Sequence, residues 1–187
     1  MRLYIVRHGQ TAWNIQGLAQ GHTDEPLDET GQWQAQQMVE HWSGHRCDQI
    51  LSSDLSRARM TAEALALAWG AELELTPALR ERCFGDWEGM VYTTLREEIQ
   101  ALCRRTGHDE QTMCPPGGES ARDVWNRLDH LVDRLNTESE DIVVVTHGGT
   151  TGLLMARLMR GTVETARSFH FGNTSINELR RRSNGFW

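Results

Sequence analysis

Two histidines in this 187-residue chain follow short apolar runs and precede glycine, in Val6-Arg7-His8-Gly9 and in Val145-Thr146-His147-Gly148-Gly149. Imidazole is the side chain best suited to carry protons or attack an electrophile near neutral pH, and a following glycine lets a ligand approach the backbone. Arg7 adjoins the first histidine, and Arg57 lies in Ser52-Ser53-Asp54-Leu55-Ser56-Arg57-Ala58-Arg59. Arginine's planar fork pairs with phosphate oxygens two at a time, so two guanidiniums and two imidazoles about one point suit a tetrahedral dianion. A carboxyl to move protons is offered by Arg80-Glu81-Arg82-Cys83-Phe84-Gly85-Asp86-Trp87-Glu88-Gly89, where Glu81, Asp86 and Glu88 are all candidates.

For these groups to meet, strands and helices must bring them to one edge of a sheet. Hydrophobic patterning predicts strands at 3–6, 48–51, 72–76 (edge-like), 141–145 and 174–181. Helices are expected at 28–42, 54–69, 92–104, 119–135 and 150–160, with Asp28 as an N-cap and Gly70 as a stop. Residues 78–90 and 106–118 read as loops, the latter around Cys114-Pro115-Pro116-Gly117-Gly118. Strands alternating with helices imply an α/β three-layer sandwich, a mostly parallel central sheet with helices on both faces. Ligands bind such sheets beyond the carboxyl ends of the strands, where both histidines fall. The helix after Gly149 is expected to aim free N–H groups at an anion there.

Length and 39% hydrophobic content suit one domain over residues 1–187. No apolar run nears the roughly 20 residues of a membrane span, and Met1-Arg2 leads directly into a strand, so a soluble, cytosolic protein is expected. The net charge of −7 argues against a nucleic-acid partner. Arg180-Arg181-Arg182 reads as a solvated strand end. The four scattered cysteines, Cys47, Cys83, Cys103 and Cys114, are expected to be reduced. His41, His45 and Cys47 have a spacing that zinc could use but no further ligand, so surface histidines and no metal are expected. His170, between Phe169 and Phe171, is expected on the outer face of a strand. Trp33, Trp42, Trp69 and Trp125 read as packing residues, while Trp13 and Trp87 fall near the chemistry.

The blocks around His8, Arg57, Glu81 and His147, in this order and at these distances, resemble the histidine phosphatase superfamily over residues 1–160, and more loosely over 161–187. The resemblance implies a phosphohistidine enzyme with His8 as the phospho-acceptor. Arg7, Arg57 and a protonated His147 would clamp the phosphate, and Glu81 would donate the proton. It implies a further phosphate contact at Asn14 and a substrate cleft lined by Gln20, Gly21 and Gly148, with His22 and Thr23 beside it. Gln10 stands where the family usually has glutamate. A small phosphorylated substrate is implied, with no metal, cofactor or membrane partner, acting in a monomer or homodimer. Length, the opening Met1-Arg2-Leu3-Tyr4 and the block Phe84-Gly85-Asp86-Trp87-Glu88-Gly89 look most like the α-ribazole and broad-specificity phosphatase branch. Two alternatives stand beside hydrolysis. Mutases of the family carry a long insertion with paired arginines, for which Arg104-Arg105 is only a loose analogue, and a lysine where this chain has Tyr92. A non-catalytic phospho-ligand module would have lost the nucleophile or the acid, and both are present. Residues 92–118 are expected to cover the substrate.

Overall fold

Leu3-Tyr4-Ile5-Val6 and Ile142-Val143-Val144-Val145 are apolar at every position, which a strand tolerates only if both sheet faces are covered. The computed structural model, which describes residues 1–42, 44, 46–182 and 187, covers them. Strands β1 (Arg2–Arg7), β2 (Gln49–Ser52), β3 (Glu72–Leu75), β4 (Ile142–Thr146) and β5 (Ile176–Arg180) form one sheet in the order β3-β2-β4-β1-β5. Only β5 runs antiparallel. Side chains alternate by strand geometry. Leu3, Ile5, Ile142 and Val144 pack on one face against Val124, Leu131, Leu135 and Leu154 of α5 (Ala121–Arg127), α6 (Asp129–Thr137) and α7 (Gly148–Leu158). Tyr4, Val6, Val143 and Val145 pack on the other against Met38 of α2 (Glu29–His41) and Ala58, Ala62 and Leu65 of α3 (Ser56–Trp69). Each fully buried Leu, Ile or Val in these layers contributes about 1.5–3 kcal/mol.

Local signals set the boundaries. Asp28 caps α2 by accepting from Gly31 N at 2.7 Å, and Gly70 ends α3 in the left-handed region at φ 68°. The helix expected from 54 starts at 56, because Asp24 from a distant loop accepts from Ser56 N at 2.6 Å. The stretch 119–135 is divided: Ser120 and Asp123 form a capping box, and a single residue, Leu128, interrupts the run between α5 and α6. Helix α4 (Tyr92–Thr106) lies where expected. A short helix, α1 (Ala12–Gln16), was not foreseen, although Thr11 and Asn14 cap each other and Gly17 closes it at φ 68°.

Three expectations about side chains are corrected. Trp33 is 59% exposed rather than packed. Trp42 and Trp69 do pack, in edge-to-face contact at 5.1 Å. His170 lies on no strand, because Phe169–Phe171 is an irregular segment before β5. Of the arginine triplet, Arg181 does not simply solvate: it donates to the carbonyls of Asn136 and Glu138 at the end of α6. His41 is exposed and bonds Gln37 O within its own helix, and His45 lies outside the described residues. Among the described residues no helix is long and apolar enough to cross a membrane.

Helix α2 sits directly on the loop that leaves β1. A Cβ at Gly31 would lie 2.0 Å from Gln10 O, and one at Gly9 would lie 2.6 Å from Gly31 O. Helix propensity alone favours Gly31→Ala by about 1 kcal/mol, whereas the backbone clash opposes it by about 1–3 kcal/mol or more. The expected outcome of urea unfolding is therefore a destabilised Gly31→Ala variant, and a stabilised one would contradict this contact.

Candidate active site

Where β1 and β4 end, Val6 pairs with Val145 and Arg7 with Thr146, so the next residues, His8 and His147, emerge side by side. Their ring centroids are 5.1 Å apart, and the residues are 3% and 1% exposed. Both line a cavity of about 630 Å³ that also touches Arg7, Asn14, Gln20, Arg57, Glu81 and Gly148.

Hydrogen bonds fix both tautomers. His8 Nδ1 lies 2.6 Å from Gly9 O. A carbonyl oxygen only accepts, so Nδ1 carries the proton and Nε2 keeps its lone pair. His147 Nδ1 accepts from Arg57 Nε at 3.2 Å, which leaves the proton on Nε2, 2.9 Å from Ser53 Oγ. Burial, reinforced by the charge of Arg57, pushes both imidazoles well below the usual histidine range. His147 is therefore neutral in this arrangement; the proton expected on it is one held beside a bound phosphate. The positive charge resides on the two guanidiniums instead.

Arg57 is 1% exposed and donates to Thr23 O at 2.9 Å and Gly21 O at 2.7 Å. Gly21 thus stands behind the cavity and does not line it: its backbone, at φ 52°, presents a carbonyl to the arginine. Arg7 donates to Phe171 O at 2.5 Å, while its Nε is buried with no partner among the described residues. Gln20 Oε1 is in the same condition. Buried polar atoms without partners beside a cavity mark where a ligand's own polar atoms belong.

Glu81 reaches the cavity from the loop after β3. Its carboxyl accepts from Gly149 N at 2.9 Å, Thr150 N at 3.1 Å and Arg82 N at 3.0 Å. Two of the amides at the start of α7, where free N–H groups are expected to face an anion, thus bond a side chain of the protein itself, while Gly148 lines the cavity. A Cβ at Gly149 would lie 2.7 Å from Glu81 Oε1, so a larger residue there would displace the carboxyl. The rival carboxyls drop out. Asp86 is exposed, and Glu88 accepts from His22 N, Thr23 N, Thr23 Oγ1 and Phe84 N at 2.6–3.1 Å. His22 and Thr23 accordingly serve Glu88 and do not line the cavity, and His22 Nε2 donates to Glu81 O at 2.9 Å. Gln10 bonds Asp28 and Gln34, away from the cavity. Trp87 packs with Ala19, Phe84 and Leu95, and neither it nor Trp13 lines the cavity.

Two features escaped the sequence reading. Arg127 of α5 gathers the carbonyls of Ala78, Arg80 and Glu81 at 2.5, 2.7 and 3.0 Å, fixing the loop that carries Glu81. A lone arginine on a helix carries no local signal of this. The far wall of the cavity comes from residues 163–171, where the rings of Phe169 and Phe171 stack at 6.0 Å beside His170. Of residues 92–118 only Tyr92 lines the cavity. The aromatic cluster 169–171, in a stretch without regular alternation, was the available clue.

A family model for the histidine phosphatase superfamily (branch 1) matches residues 3–187. The chain is 34% identical to an adenosylcobalamin/α-ribazole phosphatase of Salmonella typhimurium, over 91% of this chain and 85% of that one. It is also 34% identical to phosphoglycerate mutase-like protein 4 of Arabidopsis thaliana, over 99% and 81% of the two chains. The crystal structure of the α-ribazole phosphatase from Shigella flexneri superposes with a TM-score of 0.87 at 30% identity, covering 100% of this chain and 93% of that one.

Neutral burial of His8 and His147 couples the site to stability. Each binds a proton near pH 6.5 when unfolded, but only well below that when folded. The unfolded state therefore holds more protons in that window, and stability falls as the pH drops below about 6.5, by up to about 1.4 kcal/mol per pH unit for each histidine. Urea midpoints measured from about pH 7.5 to about pH 5.5 are expected to decline, and to decline much less in a His8→Gln/His147→Gln variant. Equal slopes in the two proteins would count against the neutral assignment.

Proposed function

The chain belongs to the histidine phosphatase superfamily, branch 1, and is a phosphoric monoester hydrolase; from that premise we propose that it cleaves a small phosphorylated metabolite in two steps through phospho-His8. The observation that carries the reading is the Nδ1–H to Gly9 O bond, which turns the lone pair of His8 Nε2 toward a cavity flanked by Arg7 and Arg57. In the first step Nε2 attacks phosphorus in line and a P–N bond forms. The P–O bond to the alcohol breaks, and Glu81 delivers the proton the alcohol needs. In the second step Glu81 takes a proton from water as its oxygen attacks phosphorus; a P–O bond forms, the P–N bond breaks with its electron pair returning to Nε2, and inorganic phosphate leaves. Arg7, Arg57 and Asn14 hold the equatorial oxygens throughout, where donors fixed in advance are worth most. His147 contributes as a neutral N–H donor, released from Ser53, and as the partner that orients Arg57.

Similarity to the Salmonella and Shigella enzymes supports α-ribazole phosphate as the first substrate to assay. The negative net charge supports a small-molecule substrate rather than a nucleic acid; action in the cytosol as a monomer or homodimer is part of the proposal. Phosphoryl shuttling is the second reading, kept because of the mutase-like Arabidopsis relative. The position of Tyr92 on the cavity wall favours hydrolysis, since family mutases place a lysine there.

His8→Ala is expected to abolish turnover together with acid-labile, base-stable labelling by substrate phosphate. Label retained in that variant would move the nucleophile elsewhere. In an assay with 3-phosphoglycerate and 2,3-bisphosphoglycerate, phosphate release is expected to outrun isomerisation, and the reverse order would replace hydrolysis by the mutase reading.

A further inference from the structure

We propose that Asn173 is a positioning residue for the phosphate-binding side of the site: it holds Asn14 with its amide nitrogen toward the cavity and ties that orientation to the backbone of His8. The inference rests on the phosphatase reading and concerns a residue that reading does not use.

The amide orientations follow from partners whose roles are fixed. The backbone N–H of Thr11 only donates, and it lies 3.1 Å from Asn14, so the atom facing it is Oδ1. The carbonyl of His8 only accepts, and it lies 2.9 Å from Asn173, so the atom facing it is Nδ2. The same Nδ2 reaches Asn14 Oδ1 at 3.2 Å. One NH2 group thus spends one hydrogen on the nucleophile's carbonyl and the other on the Asn14 oxygen. Asn14 Oδ1 takes two donors, and its own NH2 is left for the cavity that Asn14 lines. Toward a phosphoryl oxygen, an NH2 attracts where a flipped Oδ1 would repel.

Asn173 is itself held by a strained turn. Thr174 sits in the left-handed region at φ 53°, unusual for a β-branched residue. Its N–H points at Arg7 O at 3.0 Å and His8 O at 3.3 Å, and its hydroxyl donates to Asn173 O at 2.8 Å. His8 N donates to Thr146 O at 3.0 Å on the β4 side, so the nucleophile's peptide groups are held from both flanks. Strain concentrated beside a functional group is retained when the geometry it enforces is needed.

The test uses the purified full chain, with inorganic phosphate binding measured by calorimetry and kcat and KM measured on p-nitrophenyl phosphate. Asn173→Ala is expected to weaken phosphate binding about ten-fold, the usual scale for residues that orient ligating groups. Asn173→Asp should weaken it further, because a carboxylate oxygen would then face both Asn14 Oδ1 and His8 O. Asn14→Ala should cost at least as much, and the Asn14→Ala/Asn173→Ala double variant no more than Asn14→Ala alone. Additive losses, or a folded Asn173→Ala or Asn173→Asp protein that binds phosphate like the parent, would overturn the proposal while leaving the phosphatase reading intact. A parent protein that binds no phosphate would overturn both. Thermal unfolding of each variant separates a loss of fold from a loss of orientation, and Asn173→Asp, equal in size, supplies the result if Asn173→Ala does not fold.

Discussion

Arg57 is a permanently charged group with 1% of its surface exposed and no carboxylate among its hydrogen-bond partners in the described residues. Removing such an ion from water costs several kcal/mol unless something compensates. Here the compensation is two carbonyl dipoles, from Gly21 and Thr23, and the lone pair of a neutral imidazole. Much of the surrounding structure follows from that need. The left-handed backbone at Gly21 aims its carbonyl inward, Glu88 clasps the amides of His22 and Thr23 so that the segment cannot relax, and His147 must stay unprotonated to accept from Nε. The nearby carboxylates of Glu81, Asp24 and Glu88 add to this compensation through space.

Glu81, whose charge favours both guanidiniums, is held by a different set of contacts. Glu81 sits on the first amides of α7, its loop is drawn together by Arg127, and Arg80 makes a paired contact with Asp54 at 2.7 and 2.5 Å. None of these contacts touches the imidazoles. The two sets of supports join at His22, whose Nε2 donates to Glu81 O while its neighbours Gly21 and Thr23 present their carbonyls to Arg57.

The pairing of His8 with His147 was readable from the sequence because its cause is local: two strands buried on both faces, each ending in histidine and glycine. Arg57 and Glu81 were readable because their blocks keep a family pattern. Protonation was not readable, since the neutrality of His147 depends on which atom of Arg57 approaches it across 90 residues. The supports were equally hidden. Arg127, Gly21 and the loop 163–171 act through backbone groups and packing distant in sequence, and such contacts leave no periodicity. The bonds from Gly149 N and Thr150 N to Glu81 were hidden for the same reason, since the carboxyl comes from elsewhere in the chain. Trp33 shows the opposite limit, an apolar residue at helical spacing that the fold leaves in solvent.

The place of β1 in the sheet bears on how the protein comes into being. The first of the sheet's five strands in chain order lies between β4 and β5, the fourth and fifth, and it carries Arg7 and leads into His8. While the chain emerges from the ribosome, both edges of that apolar strand wait without these partners until residues 142–180 have been translated. Contacts so distant in sequence are slow to form and leave the nascent chain open to misassociation. The cavity around His8 and His147 is therefore completed only after β4 and β5 have been made, and a polypeptide cut short before β5 would carry both histidines without the neighbour that holds β1 in place.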